Sequence, residues 1–244
     1  MSFAAHRANA LSGSGAIAAT LTGIVAIAAG WSWGILLIAF FVSSIVLSRI
    51  GARRKAEVVD AIVAKNRARD VWQVLANGGL FTAAALASIV SPAPVWLAIG
   101  IGALAASAAD TWATEVGTLV GGEPRSIVTR KPVPAGSSGG VTLAGSAAAL
   151  AGAAFMAGAA SLLQWQVPLH VVVASGVAGA FADSLAGALV QERRWCAACR
   201  APTERPVHVC GTRTGRVGGV AGFDNDVVNL LCSFVGALVA LLMS

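Results

Sequence analysis

The sequence predicts an all-α, polytopic transmembrane helical bundle of about seven crossings, six being the alternative count, with its N-terminus cytoplasmic. Three observations predict it. The 244 residues are 57% hydrophobic and 11% charged, with a mean hydropathy of +0.77, far from the usage of soluble domains. The apolar residues come in runs of about 17 or more, long enough at ~1.5 Å per residue to cross most of a ~30 Å hydrocarbon core. The basic residues gather in alternate connections. With 28 Gly and no Tyr, the helices are expected to pack by close backbone approach, because burying apolar area supplies little drive within lipid.

In chain order, the first crossing is expected over 15–30 and the second over 32–50. The "GWSWG" turn joins them and puts Trp31 and Trp33 in an interfacial belt. The first run is short and Gly-rich, which leaves open a segment that dips without spanning. The third crossing covers 74–90 and ends at "SPAP", a turn signal. The fourth covers 95–120, the fifth 139–163, the sixth 167–190 and the seventh 227–243. The whole of 1–244 reads as one transmembrane domain, from which 192–222 stands out as a cytoplasmic loop.

Charge placement fixes the orientation. Positions 49–70 carry Arg49, Arg53, Arg54, Lys55, Lys65, Arg67 and Arg69; the loop after the fourth crossing carries Arg125, Arg130 and Lys131; the loop after the sixth carries Arg193, Arg194, Arg200, Arg205, Arg213 and Arg216. The intervening connections carry none. By the positive-inside rule all the sizeable loops are cytoplasmic, as is Arg7. The net charge of +6 is first a topological signal, and second an attraction for anionic lipid or a phosphorylated substrate. Nucleic-acid binding is excluded, since no basic and aromatic residues interleave. The N-terminus lacks the order of a removable signal, so the first apolar run is expected to remain in the protein. The expected location is a plasma membrane of bacterial or archaeal type, with the active face cytoplasmic.

Carboxylates within crossings are costly, so each should face protein, water or a cation. Asp110 and Glu115 lie in the fourth, roughly 140° apart around the helix, and Asp183 lies in the sixth. "ADTWATEVG" and "ADSLAGALV" share a short pattern that also places Thr111 and Ser184 beside the acids as candidate hydroxyl donors. Helix hydroxyls also bond their own backbone, which is the plainer reading of both. In "TRKPVPAGSSGG", Arg130 and Lys131 precede a Pro-stiffened turn and the small residues Ser137, Ser138, Gly139 and Gly140, a setting in which backbone N–H groups and a helix start can hold an anion. An ordinary inside-charged loop is the alternative. At the entry to the seventh crossing, "GFDNDVVN" puts Asp226 and Asn229 on one face beside Asn225, although residues there also serve as helix caps. Acids and bases in one layer point to phosphate chemistry bridged by Mg²⁺, with Asp110, Glu115, Asp183 and Asp226 as its candidate ligands and, with Lys131, the candidate catalytic groups. A proton-driven carrier would use acids in the same places.

The last loop reads "RRWCAACRAPTERPVHVCG". Cys196, Cys199, His208 and Cys210 offer four zinc ligands in a reducing compartment, where a disulfide is not expected. The His-x-Cys pair is tighter than standard spacing, so unbound surface cysteines stand as the alternative to a structural zinc knuckle.

Taken together, "ADTWATEVG", "TRKPVPAGSSGGV", "GAFADSLAGALVQ", "CAAC" with "HVCG", and "GFDNDVVNLLCSFVGAL" resemble a family of integral membrane proteins long catalogued as a domain of unknown function. That family includes transmembrane protein 19 and the plant phytyl-phosphate kinase. The resemblance implies a nucleotide-dependent kinase that converts an isoprenoid (phytyl or polyprenyl) monophosphate to the diphosphate, with Mg²⁺ and CTP, ATP or another nucleoside triphosphate as donor. It carries the family's Asp-Thr and Glu onto Asp110, Thr111 and Glu115, its Lys-Pro turn onto Lys131 and Pro132, its Asp-Ser onto Asp183 and Ser184, and its Asn-Asp-x-x-Asn onto Asn225, Asp226 and Asn229. The family turn "PPGTNGG" is here "PAGSSGG", which departs at Ser137 and Ser138. A cytidylyl or other phospho-group transferase acting on lipid, a transporter of a phosphorylated solute, and an assembly protein docking through the zinc loop are the other readings.

Overall fold

The computed structural model of the chain describes residues 2–59, 62 and 68–244. Its elements run α1 (Ser2–Arg7), α2 (Gly13–Ala29), α3 (Trp31–Arg49), α4 (Ala52–Val59), α5 (Val71–Val90), α6 (Val95–Val120), β1 (Arg125–Ser126), β2 (Gly140–Val141), α7 (Leu143–Leu162), α8 (Leu169–Leu189), β3 (Arg193–Cys196), β4 (Ala201–Thr203), β5 (Gly215–Gly218) and α9 (Asn225–Met243). Among the described residues six helices, α3 and α5 to α9, are long and apolar enough to cross a membrane, and α2 is a shorter apolar helix of 17 residues. The protein is an all-α polytopic membrane bundle, with two small sheets outside its long helices.

Each long helix begins where its local chemistry allows. Asp70 caps α5 in a reciprocal box with Gln73, which starts that helix three residues before the expected position. Thr142 caps α7 by accepting from the Gly145 N–H at 3.0 Å, and Asp224 caps α9. The fifth crossing therefore begins at Leu143 and not at 139. Gly139 has φ +77 and belongs to the preceding turn, a conformation that suits glycine alone. The α2–α3 connection is shorter than "GWSWG" suggested: Gly30, at φ 146, ends one helix and caps the next. Trp31 stands 76% exposed, but Trp33 is 3% exposed. Only the first fits an interfacial belt; Trp33 turns inward, its ring 5.1 Å from Phe81 and 4.7 Å from Trp165.

The centre of the bundle is α6. From Ala98 to Ala109 nearly every residue is buried, as expected of a helix surrounded by others, and α5, α7, α8 and α9 all pack on it. Small residues make this possible. A Cβ on Gly236 of α9 would lie 2.4 Å from the Gly102 carbonyl oxygen, and one on Gly179 of α8 would lie 2.3 Å from Ala106 Cβ. Trp33, Phe81 and Trp165 fill one end of the bundle with Ile101, Leu104 and Met156. All described Lys and Arg residues are at the other end. Asp60, Lys65 and Arg67 lie outside the described residues.

At this basic end the connections are structured. Arg125–Ser126 pairs antiparallel with Gly140–Val141, closing the loop between α6 and α7. Between α8 and α9 a three-stranded antiparallel sheet of order β4-β3-β5 replaces the plain loop.

Candidate functional site: an acid pair beneath a serine-glycine loop

Three helices and one loop build the site. Asp110 lies sixteen residues into α6, ~24 Å along its axis; Asp183 occupies the corresponding part of α8. Both are half-buried, and their carboxyl groups come close enough across the two helices to interact directly. One oxygen of Asp183, Oδ1, is buried and has no hydrogen-bond partner. Two carboxylates in contact, one with an orphaned oxygen, are costly unless a proton or a cation is shared between them. Hard oxygen donors of this kind suit Mg²⁺.

Beneath the pair lies a knot of hydroxyls. Ser107, one turn from Asp110, is 2.9 Å from Ser233 of α9 and donates to the Asn77 carbonyl at 2.8 Å, while Ser233 donates to the Ala76 carbonyl at 3.0 Å. These bonds join α5, α6 and α9 into a floor. The loop comes from the other side. Gly187 of α8, one turn beyond Asp183, is so close to it that a Cβ there would be 2.9 Å from Gly139 N and 3.1 Å from Ser138 Cβ. Ser137, Ser138, Gly139 and Gly140 are thus held against the helix that carries Asp183. Arg130 and Lys131, toward the other end of this loop, are exposed.

The remaining expected residues have distinct surroundings. Thr111 and Ser184 are half-buried beside their acids. Asp226 and Asn229 are half-buried in the first turns of α9, and Asn225 is exposed; α9 packs on both α6 and α8. Glu115 bonds Lys55, whose ammonium also donates to the Leu47 carbonyl at 2.8 Å, and Arg69 adds charge nearby. The structure thus gives Glu115 a cationic partner and brings Asp110 beside Asp183.

Glu204 is a residue that the sequence reading missed. It follows β4 and accepts a hydrogen bond from the Ser138 hydroxyl, and it lies close enough to Asp183 to act on its charge. Burial pushes its carboxyl above the usual range, opposed by its interaction with Ser138. Set among arginines in a loop, Glu204 carries no local pattern; its spacing between the two cysteine-histidine halves was the available signal.

The sheet carries the second cluster. Ligand atoms of Cys196, Cys199, His208 and Cys210 all lie within 4.8 Å of one another. Cys196 and Cys210 sulfurs are 3.7 Å apart, and Cys210 is 3.2 Å from His208 Nδ1. A tetrahedral zinc with ~2.3 Å bonds to sulfur needs ligand edges of about 3.8 Å, so the four groups fit that metal. Contact with Thr212, then His208, pulls the Cys210 thiol down to about 5, and the hydrogen bond with Cys210 pushes Cys199 up to about 11. The cluster therefore favours thiolate first at Cys210, the form in which sulfur binds metal.

Residues 1–237 match the family model described as integral membrane protein DUF92. The chain belongs to the DUF92 family. Transmembrane protein 19-like and phytyl-phosphate kinase-like homologues belong to the same family. The chain is 31% identical to Protein PGR of Arabidopsis thaliana over 98% of its own length and 92% of that protein. It is also 28% identical to an uncharacterized membrane protein of Methanocaldococcus jannaschii, covering 97% and 87%, and 35% identical to one of Synechocystis over 52% of each chain. No solved structure matches this DUF92 protein.

Proposed function

We propose that this DUF92 protein is a nucleotide-dependent kinase of isoprenoid monophosphates, working at the cytoplasmic face and forming the lipid diphosphate. The observation that carries the proposal is the contact of Asp110 with Asp183 from two separate helices, with Asp183 Oδ1 left unpartnered. The substrate class comes from the family resemblance. Phosphoryl transfer needs charge compensation more than covalent help from the protein.

In this reading Asp110 and Asp183 hold Mg²⁺, with Asp226 completing the set from α9. Mg²⁺ supplies charge neutralisation between phosphate oxygens. The backbone N–H groups of Ser137 to Gly140, with Thr111, Ser184, Asn225 and Asn229, bind phosphate oxygens of the nucleoside triphosphate, CTP or ATP. Lys131 and Arg130 compensate charge as the acceptor phosphate attacks in line. The nucleophile is already an anion at neutral pH, so Asp110 and Asp183 are free to bind metal and need not accept a proton. Glu115, paired with Lys55, fixes the end of α6 on this reading. A zinc ion in the Cys196, Cys199, His208 and Cys210 cluster is structural, since four protein ligands leave no open position.

Transport is less favoured, because Trp33, Phe81, Trp165 and their neighbours fill the far end of the bundle. Cytidylyl transfer to the lipid phosphate would use the same acids and loop. The deciding experiment incubates purified protein with phytyl and polyprenyl monophosphates, Mg²⁺, and ATP or CTP carrying label on either the α or the γ phosphorus. γ label in a lipid diphosphate, abolished in D183N, is the expected outcome. Incorporation of α label selects cytidylyl transfer, and no turnover with any pair overturns the proposal.

A further inference from the structure

The segment that bears Glu204 is fixed from both sides. Upstream, β4 pairs with β3, which carries Cys196, and Cys199 lies in the turn between them; downstream are His208 and Cys210. Within it the Glu204 N–H donates to the Ile62 carbonyl at 2.8 Å, and the Arg205 N–H donates to Thr203 Oγ1 at 3.2 Å. The Thr214 N–H reaches the Pro206 carbonyl at 3.0 Å, and its hydroxyl donates to the Arg205 carbonyl at 2.5 Å. So restrained, Glu204 accepts the Ser138 hydroxyl. It is also near enough to Asp183 to act on that carboxyl's charge.

We infer that Glu204 is a positioning residue, through which the cysteine-histidine sheet sets the Ser137 to Gly140 loop over the Asp110–Asp183 pair. This inference rests on the proposed cation role of that pair. The physical need is clear from the loop itself. Gly139 has φ +77, and glycines in a loop retain much conformational freedom unless something outside restrains them. Gly140 is paired with β1 and Gly139 lies against Gly187; Glu204 adds the restraint at Ser138 by accepting its hydroxyl. Its carboxylate also adds a third negative charge beside two others, which favours a divalent cation there. The two contributions separate by chemistry: glutamine retains an acceptor for Ser138 without the charge, and alanine has neither.

The test uses the full-length protein in detergent and two readouts that need no catalysis: Mn²⁺ affinity, followed by the electron paramagnetic resonance of the free ion, and hydrogen exchange at the amides of 137–140. E204A is expected to expose those amides and to weaken Mn²⁺ binding about tenfold or more. E204Q should keep the amides protected while weakening Mn²⁺ binding. The exposed carboxylate of Glu123 provides the control, and E123Q should change neither. Protection in E204A equal to wild type overturns the positioning role, and so does Mn²⁺ affinity in E204A within about twofold of wild type. If the wild-type protein binds no Mn²⁺, the cation site of the functional proposal fails, whereas the exchange readout still decides whether Glu204 orders the loop. Zinc content and melting temperature, compared across the variants, identify any that lose the sheet itself; there S138A, which removes the hydroxyl donor from the opposite side, replaces E204A and should loosen the same amides.

Discussion

At the scale of single residues, three carboxylates do different work. Asp183 has an unpartnered oxygen; D183N should abolish Mn²⁺ binding in the resonance assay while leaving the helical circular dichroism signal unchanged. Glu115, 22% exposed in its side chain, is tied to Lys55, which is 8% exposed, so K55A leaves a partly solvated carboxylate without that partner. It should lower stability on the order of 1–2 kcal/mol, read as a fall in melting temperature, and change Mn²⁺ affinity little. Glu192 accepts from the Gly222 N–H at 2.8 Å and from Arg194, and first the Gly222 bond and then Arg194 hold its carboxyl below the ordinary 4.5. A depressed folded value means stability present above the unfolded value and lost as pH falls through the folded one. Melting temperature should therefore drop more steeply below pH ~4.5 in wild type than in E192Q. The acids at 110 and 183 were legible because a carboxylate in an apolar run must be explained. The partners of Glu115 and Ser138 were not, since they lie 60 and 66 residues away along the chain and no local pattern announces them.

At the scale of elements, apolar runs and caps made the long helices legible, with ends displaced by a few residues where a cap or a turn overrode the run. Asp70 drew α5 forward and Gly139 held α7 back. Trp33 shows the limit of composition: an aromatic near a turn reads as interfacial until a neighbouring helix offers Phe81 to pack against. The sheet between α8 and α9 was legible as ligand spacing but not as strands, because "RRWC" and "GRVG" alternate too briefly to signal pairing. Its metal is directly measurable. Purified protein should carry about one zinc per chain, and C196S, which removes a buried ligand, should lose it by metal analysis. Helix contacts make an equally direct prediction. G179L forces a side chain into the space held by Ala106 and the Cys232 carbonyl, and should cost on the order of 1–3 kcal/mol, seen as a lower melting temperature in detergent.

At the scale of the whole molecule, charge and aromatic packing divide the protein into two unlike ends. Ser91 lies at the end filled by aromatics and Val128 at the basic end, both exposed. S91C should gain labelling by an impermeant thiol reagent in intact cells, and V128C only in inverted vesicles; the reverse pattern would turn the protein over in its membrane. The start of α2 is also fastened to the start of α5. Ser12 N–H donates to the Arg69 carbonyl at 3.0 Å, Arg69 N–H donates to the Ala10 carbonyl at 3.1 Å, and Gly15 leaves no room for a side chain between the two segments. Such a seam joins an earlier hydrophobic segment, α2, to a later one, α5, with α3 made between them. The earlier must wait in the bilayer, beside lipid or the insertion machinery, until its permanent neighbour has been synthesised.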